Sequence, residues 1–156
     1  MTVSEILPFV LVVDPDPTTH LIVDQALVAG EFPHFTARSV ETALKMAERR
    51  VPSVLVVDES VTGLGHLVDK LRALAPHLRV LVLVNKAPTG ELSSRLARLG
   101  SVLHKPLEAT RFRAMVRTVA RLAAMTAGVA EMHVADHSPA PQRHTPQRKS
   151  VPPRGK

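Results

Sequence analysis

Cysteine, tryptophan and tyrosine are all absent from the 156-residue chain. Without cysteine there is neither a disulfide framework nor a thiolate metal site, which fits a cytoplasmic location. Aromatic residues make up 3% of the chain, all of them Phe. That scarcity excludes the stacking platforms that bind single-stranded nucleic acid, and it leaves Val, Leu, Ala and Met to fill the core. No apolar run approaches the length of a membrane span. The opening MTVSEILPFVLVVDPD lacks a basic start and reaches acidic residues before any small-residue cleavage site, so no secretory leader is expected. The length suits one domain with its own core plus a tail.

What is present is a set of short apolar runs, each ending in a group suited to phosphoryl chemistry. FVLVVDPD carries Asp14, SVLVVDES carries Asp58 and SVLHKP carries Lys105. Runs of four to six residues rich in Val and Leu read as strands buried on both faces, which belong to parallel sheets covered by helices. Ligand sites of open parallel sheets lie beyond the carboxyl ends of the strands, so the three side chains are expected to converge in one cleft.

The remaining pattern supports this reading. Strands are expected at 9–13, 34–37, 53–57, 79–84 and 101–104, alternating with helices at 18–29, 40–50, 63–75, 91–99 and 108–126. Ser39 reads as an N-cap, Gly30 as a helix end, and Pro106 as a residue that restrains Lys105 and suits a cis bond. Asp14, in a Pro-bracketed turn, reads equally as a cap for the first helix or as a metal ligand. Five strands alternating with five helices imply an α/β, doubly wound, three-layer domain over residues 1–127. From 128 to 156 the periodicity dissolves. Residues 129–156 hold five Pro, three His and five Lys or Arg against two acids, and the segment is expected to be a disordered tail. His133, His137 and His144 are spaced too irregularly for a metal site.

With the acids and the lysine placed, residues 9–125 resemble the receiver domain of two-component response regulators, a flavodoxin-like fold. The resemblance implies that Asp58 accepts a phosphoryl group from a phosphohistidine, that Lys105 contacts the phosphoryl oxygens, and that Asp14 and Asp58 help to hold Mg²⁺; Lys105 reads alternatively as an ion-pair partner of Asp58 that takes the place of the metal charge in an unphosphorylated cleft. The chemistry has its own logic. A carboxylate attacking an anionic donor needs a cation to offset repulsion, and an ammonium stabilises charge developing on the transferred oxygens. The chain departs from the pattern at several positions. Pro15 replaces the second acid, leaving Asp16 as a substitute and Mg²⁺ binding weak or absent. Val84 stands where a Thr or Ser senses the modification, Asn85 where a small residue is usual, and Val102 where an aromatic ring switches. The loop after Asp58 is about two residues short.

The resemblance implies a receiver-like signalling protein of the phosphorelay type. It would have no output domain and no enzymatic activity, and would act by protein–protein interaction with Asp58 as candidate phosphoacceptor. The open alternative is a phosphorylation-independent pseudo-receiver that serves as adaptor or scaffold. Implied partners are a histidine kinase or phosphotransfer protein, a second copy of the chain, and an output protein on the face made by the fourth helix, fifth strand and fifth helix. Arg95, Arg98, Arg111, Arg113, Arg117 and Arg121 are expected to crowd that face, although an ordinary solvated face explains them equally. A phosphatase is disfavoured by the lack of a second Asp two residues after Asp58 and of a cap segment. Nothing reads as a sequence-specific DNA-binding module or a membrane anchor. The net charge of +6 allows only weak, salt-sensitive attraction of the tail to acidic partners.

Overall fold

The computed structural model describes residues 8–86 and 89–136, with the side chains of 129–136 outside that description. Its elements run β1 (Val10–Val13), α1 (Pro17–Ala29), β2 (His34–Ala37), α2 (Val40–Arg49), β3 (Val54–Asp58), α3 (Leu64–Leu74), β4 (Arg79–Val84), α4 (Gly90–Leu99), β5 (Ser101–His104) and α5 (Ala109–Asp136). The strands form one parallel sheet in the order β2-β1-β3-β4-β5. The order reverses direction at β1, as a doubly wound sheet requires, so the gap beside β1 and β3 at their carboxyl ends is the expected place for a site.

Alternation along the strands divides the core in two. Val10, Val12, Val54, Val56, Leu81 and Leu83 pack with α1 and α5 through Val23, Leu27, Phe112 and Val116. Leu11, Val13, Leu55, Val57, Val80 and Val82 face the other way, against Ala43 and Ala47 of α2, Leu67 and Leu71 of α3, and Leu96 of α4. Every residue of β1 and β3 is buried, which explains their continuous apolar runs. Strand β5 lies at the edge and is half-exposed.

Turn chemistry fixes the element ends. Pro17 opens α1, where a missing N–H costs nothing, and Ser39 caps α2 by accepting from the Thr42 N–H. Gly63, at φ 86°, takes the left-handed conformation that starts α3. The helix after β5 corrects the sequence expectation, because α5 continues through Gly128 to Asp136 rather than ending at Thr126. A lone glycine lowers helix propensity by only about 1 kcal/mol and does not by itself stop a helix. Of the expected tail, the residues beyond Asp136, including His137 and His144, lie outside the described residues, as does the side chain of His133. None of the helices among the described residues is long and apolar enough to cross a membrane.

Candidate functional site

Asp14 directly follows β1, Asp58 is the last residue of β3, and Lys105 directly follows β5. Parallel pairing carries all three to the same edge of the sheet. Asp58 lies in the β3–β4 ladder opposite Leu83, one residue further into the strand than its sequence suggests. The Lys105 N–H donates to the Val84 carbonyl at 2.7 Å, and the Lys105–Pro106 peptide is cis, as the sequence allowed. Val84, at the expected switch position, is thus a buried strand end whose backbone anchors the lysine.

The side chains meet closely. Lys105 Nζ is 2.7 Å from Asp14 Oδ2 and 2.7 Å from Asp58 Oδ2, and the side chains are 13%, 1% and 2% exposed respectively. Toward Asp14 the ammonium makes a directional hydrogen bond. Asp58 Oδ2 lies outside hydrogen-bonding angles and has no other partner, so the lysine compensates its charge without a directed bond. The remaining carboxylate oxygens are also engaged. Asp14 Oδ1 accepts from the Asp16 N–H at 2.8 Å, and Asp58 Oδ1 accepts from both the N–H and the hydroxyl of Ser60. Ser60 was not singled out by sequence reasoning. The signal was present, since Asp-x-Ser is a normal Asx-type turn in which the side chain takes the N–H two residues on.

Two expectations are corrected here. Asp14 is not the cap of α1; Asp16 is, accepting from the Thr18 N–H at 2.9 Å. Asp16 is exposed, and one of its carboxylate oxygens is taken by the helix end. Arg113 does not join the other arginines, because it packs beside Gly30 at the end of α1. Arg95, Arg98, Arg111, Arg117 and Arg121 are exposed on α4 and α5. Val102 is a half-buried β5 residue packed against the α2–α4 side of the core, and Asn85 donates its N–H to Glu59.

Every carboxylate oxygen of Asp14 and Asp58 faces Lys105 or accepts an N–H or O–H, so a divalent metal would have to displace one of these partners. Mg²⁺ takes six oxygen ligands in near-octahedral geometry, several of them waters and one or two from carboxylates. Here two carboxylates share an ammonium, their other oxygens accept N–H or O–H donors, and Pro15 offers no side-chain oxygen. Among the described residues no cluster of three or more Asp, Glu, His or Cys side chains could hold a metal ion. The ammonium occupies the position where a cation would balance the two acids.

Burial alone pushes the Asp58 carboxyl up, but the adjacent Lys105 ammonium and the hydrogen bonds from Ser60 outweigh it and hold the group below its ordinary value. Burial likewise pushes Lys105 down, and Asp14 and Asp58 overcome it and raise the ammonium above its ordinary 10.5. The stabilisation from Asp58 is thus present above the ordinary carboxylate range and lost as pH falls through its depressed value. That from Lys105 is present below 10.5 and lost as pH rises through its raised value. Thermal unfolding is accordingly expected to show a plateau at neutral pH with losses at both extremes, and Asp58→Asn should flatten the acid limb. An acid limb identical in wild type and Asp58→Asn would contradict the arrangement.

Comparison with solved structures identifies the fold. The chain is similar to the signal receiver domain of a putative Luxo repressor protein from Vibrio parahaemolyticus, with TM-score 0.68 and 19% identity over 79% of this chain and 97% of that one. It is similar to a CheY-like response regulator receiver domain protein from Methanospirillum hungatei, with TM-score 0.65 and 18% identity over 77% and 98% of the two chains. NtrX from Brucella abortus matches at TM-score 0.72 and 21% identity, covering 81% of this chain but 29% of that one. No protein-family model and no curated protein matches the chain. The fold is that of response regulator receiver domains, the flavodoxin-like arrangement of five parallel strands and five helices.

Proposed function

We propose that this chain is a receiver-fold module of two-component-type signalling that works by binding a protein partner, with a binding state set without phosphoryl transfer to Asp58. The observation that carries the proposal is the single ammonium lying 2.7 Å from both Asp14 and Asp58. For Asp58 to attack a phosphoryl donor, an almost fully buried carboxylate whose charge is already balanced by Lys105 must become accessible, and no acid at position 15 assists a metal there. Transfer of this kind depends on positioning and charge, so losing one metal ligand costs rate heavily while leaving the fold intact. Valine at 84 and 102 removes the hydroxyl and the ring through which phosphorylation would be relayed. The partner face is the α4–β5–α5 side bearing Arg95, Arg111, Arg117 and Arg121, which suits an acidic protein surface.

The test is incubation with Mg²⁺ and a small acyl phosphate, followed by intact mass measurement. No phosphoryl adduct is expected. A labile adduct formed by the wild type and missing in Asp58→Asn would establish the other reading, in which Asp58 is a working phosphoacceptor served by a histidine kinase or phosphotransfer protein.

A further inference from the structure

At the opposite edge of the sheet, where β4 and β5 begin, lies a cleft of about 480 Å³. Its walls include Arg72 of α3, His77 of the α3–β4 turn, Arg79 at the start of β4 and Arg98 of α4. Val119, Leu122 and Thr126 of α5 close the other side, and among the described residues no Asp or Glu lines it. None of the three guanidiniums forms an ion pair among the described residues. Arginine does not lose its charge in proteins, so three fixed positive charges line one concavity with no counter-ion among the described residues.

Two of these side chains are held in place. Arg72 donates to the Leu99 carbonyl at 2.6 Å, which joins α3 to the end of α4. Arg79 donates to Thr126 Oγ1 at 2.8 Å, and that hydroxyl is itself fixed on the Leu122 carbonyl of its own helix. Each guanidinium has five N–H groups, so one bond apiece leaves most of the fork free. Capping of helix ends does not account for the whole set. The carboxyl ends of α3 and α4 each present about half a negative charge, roughly one charge in total, against three arginines.

From this convergence we propose that the cleft is a binding site for a phosphate-bearing small molecule of about nucleotide size. Planar guanidinium forks match phosphate oxygens bidentately, and the volume lies within the range of small-ligand pockets. Leu122, exposed at the rim, together with Ala97 and Leu99, gives an organic framework an apolar surface to rest on. Such a ligand would bear on α3, α4, β5 and α5 at once, the elements that also carry the proposed partner face. A molecule bound here therefore provides an input to the domain that does not involve Asp58.

Isothermal titration of the full chain with inorganic pyrophosphate and, separately, with a nucleoside diphosphate at physiological salt and without divalent metal tests the proposal. Saturable binding of at least one probe with Kd below about 1 mM is expected, and the pair of probes separates a bare polyphosphate site from a nucleotide site. Arg98→Glu, at an exposed position that does not threaten folding, and Arg79→Gln should each weaken binding by about tenfold or more. Lys45→Glu, on the exposed face of α2, should leave it unchanged. The proposal is overturned if neither probe saturates, if Arg98→Glu and Arg79→Gln both bind as the wild type does, or if Lys45→Glu weakens binding equally.

Discussion

Lys105→Met is expected to destabilise the fold by about 3–5 kcal/mol at neutral pH, read as a lowered urea midpoint with unchanged slope. The side chains are similar in length, so little packing is lost; the cost comes from leaving two buried carboxylates facing one another without a cation. Asp14 and Asp58 are 1% and 2% exposed, and water cannot take over the role of the ammonium without opening the site. One of the two acids should then titrate upward to relieve the repulsion, since two close carboxylates resist ionising together. The deficit should consequently shrink as pH is lowered into the carboxylate range. A triple variant, Lys105→Met with Asp14→Asn and Asp58→Asn, should regain most of the loss, because neutral side chains no longer require the lysine. If Lys105→Met were as stable as wild type across this range, the ion triad would not be the organising feature of the site.

Gly100→Ala is the second large effect, and its cause is steric alone. The backbone there is extended, at φ 167°, a conformation open to any residue. A Cβ at this position would fall 2.0 Å from the Val80 carbonyl oxygen and 2.8 Å from its carbon. Both are backbone atoms of a buried inner strand, so relief requires β5 to move away from β4. Overpacking usually costs about 1–3 kcal/mol, and a clash with backbone belongs at or above the top of that range. Gly30→Ala provides the contrast, since its Cβ would meet the Phe32 ring at 2.8 Å and Arg113 Cδ at 3.0 Å, both side chains that can shift. It should cost clearly less in the same urea titration. Because Lys105 follows β5 directly, Gly100→Ala should also loosen the triad and weaken the acid and alkaline limbs of the stability profile. Equal effects of the two substitutions would show that β5 yields more easily than its pairing suggests.

The two predictions act at opposite ends of the same short edge strand. Strand β5 carries Lys105 at its carboxyl end and borders the arginine-lined cleft at its start. Any partner or ligand that shifts β5 is therefore positioned to change both the ion triad and the cleft.

The order of strands and helices, the burial of β1, β3 and β4, and the gathering of Asp14, Asp58 and Lys105 on one edge were all legible in the sequence. They depend on local apolar periodicity and on the topological rule that parallel strands end on the same side, and both are properties of residue pattern alone. What the lysine does there was not legible as a single answer. Whether its ammonium meets one acid or both depends on distances of an ångström or two between side chains far apart in the chain, whereas the Asp16 cap of α1 and the Ser60 bond to Asp58 are local turns whose signals lay in the sequence. Tertiary structure also separated Arg113 from its neighbours and brought Arg72, Arg79 and Arg98 from three elements to one cleft. Sequence spacing fixes which face of an element a residue occupies, whereas the packing of elements decides which faces meet and therefore which charges must balance one another.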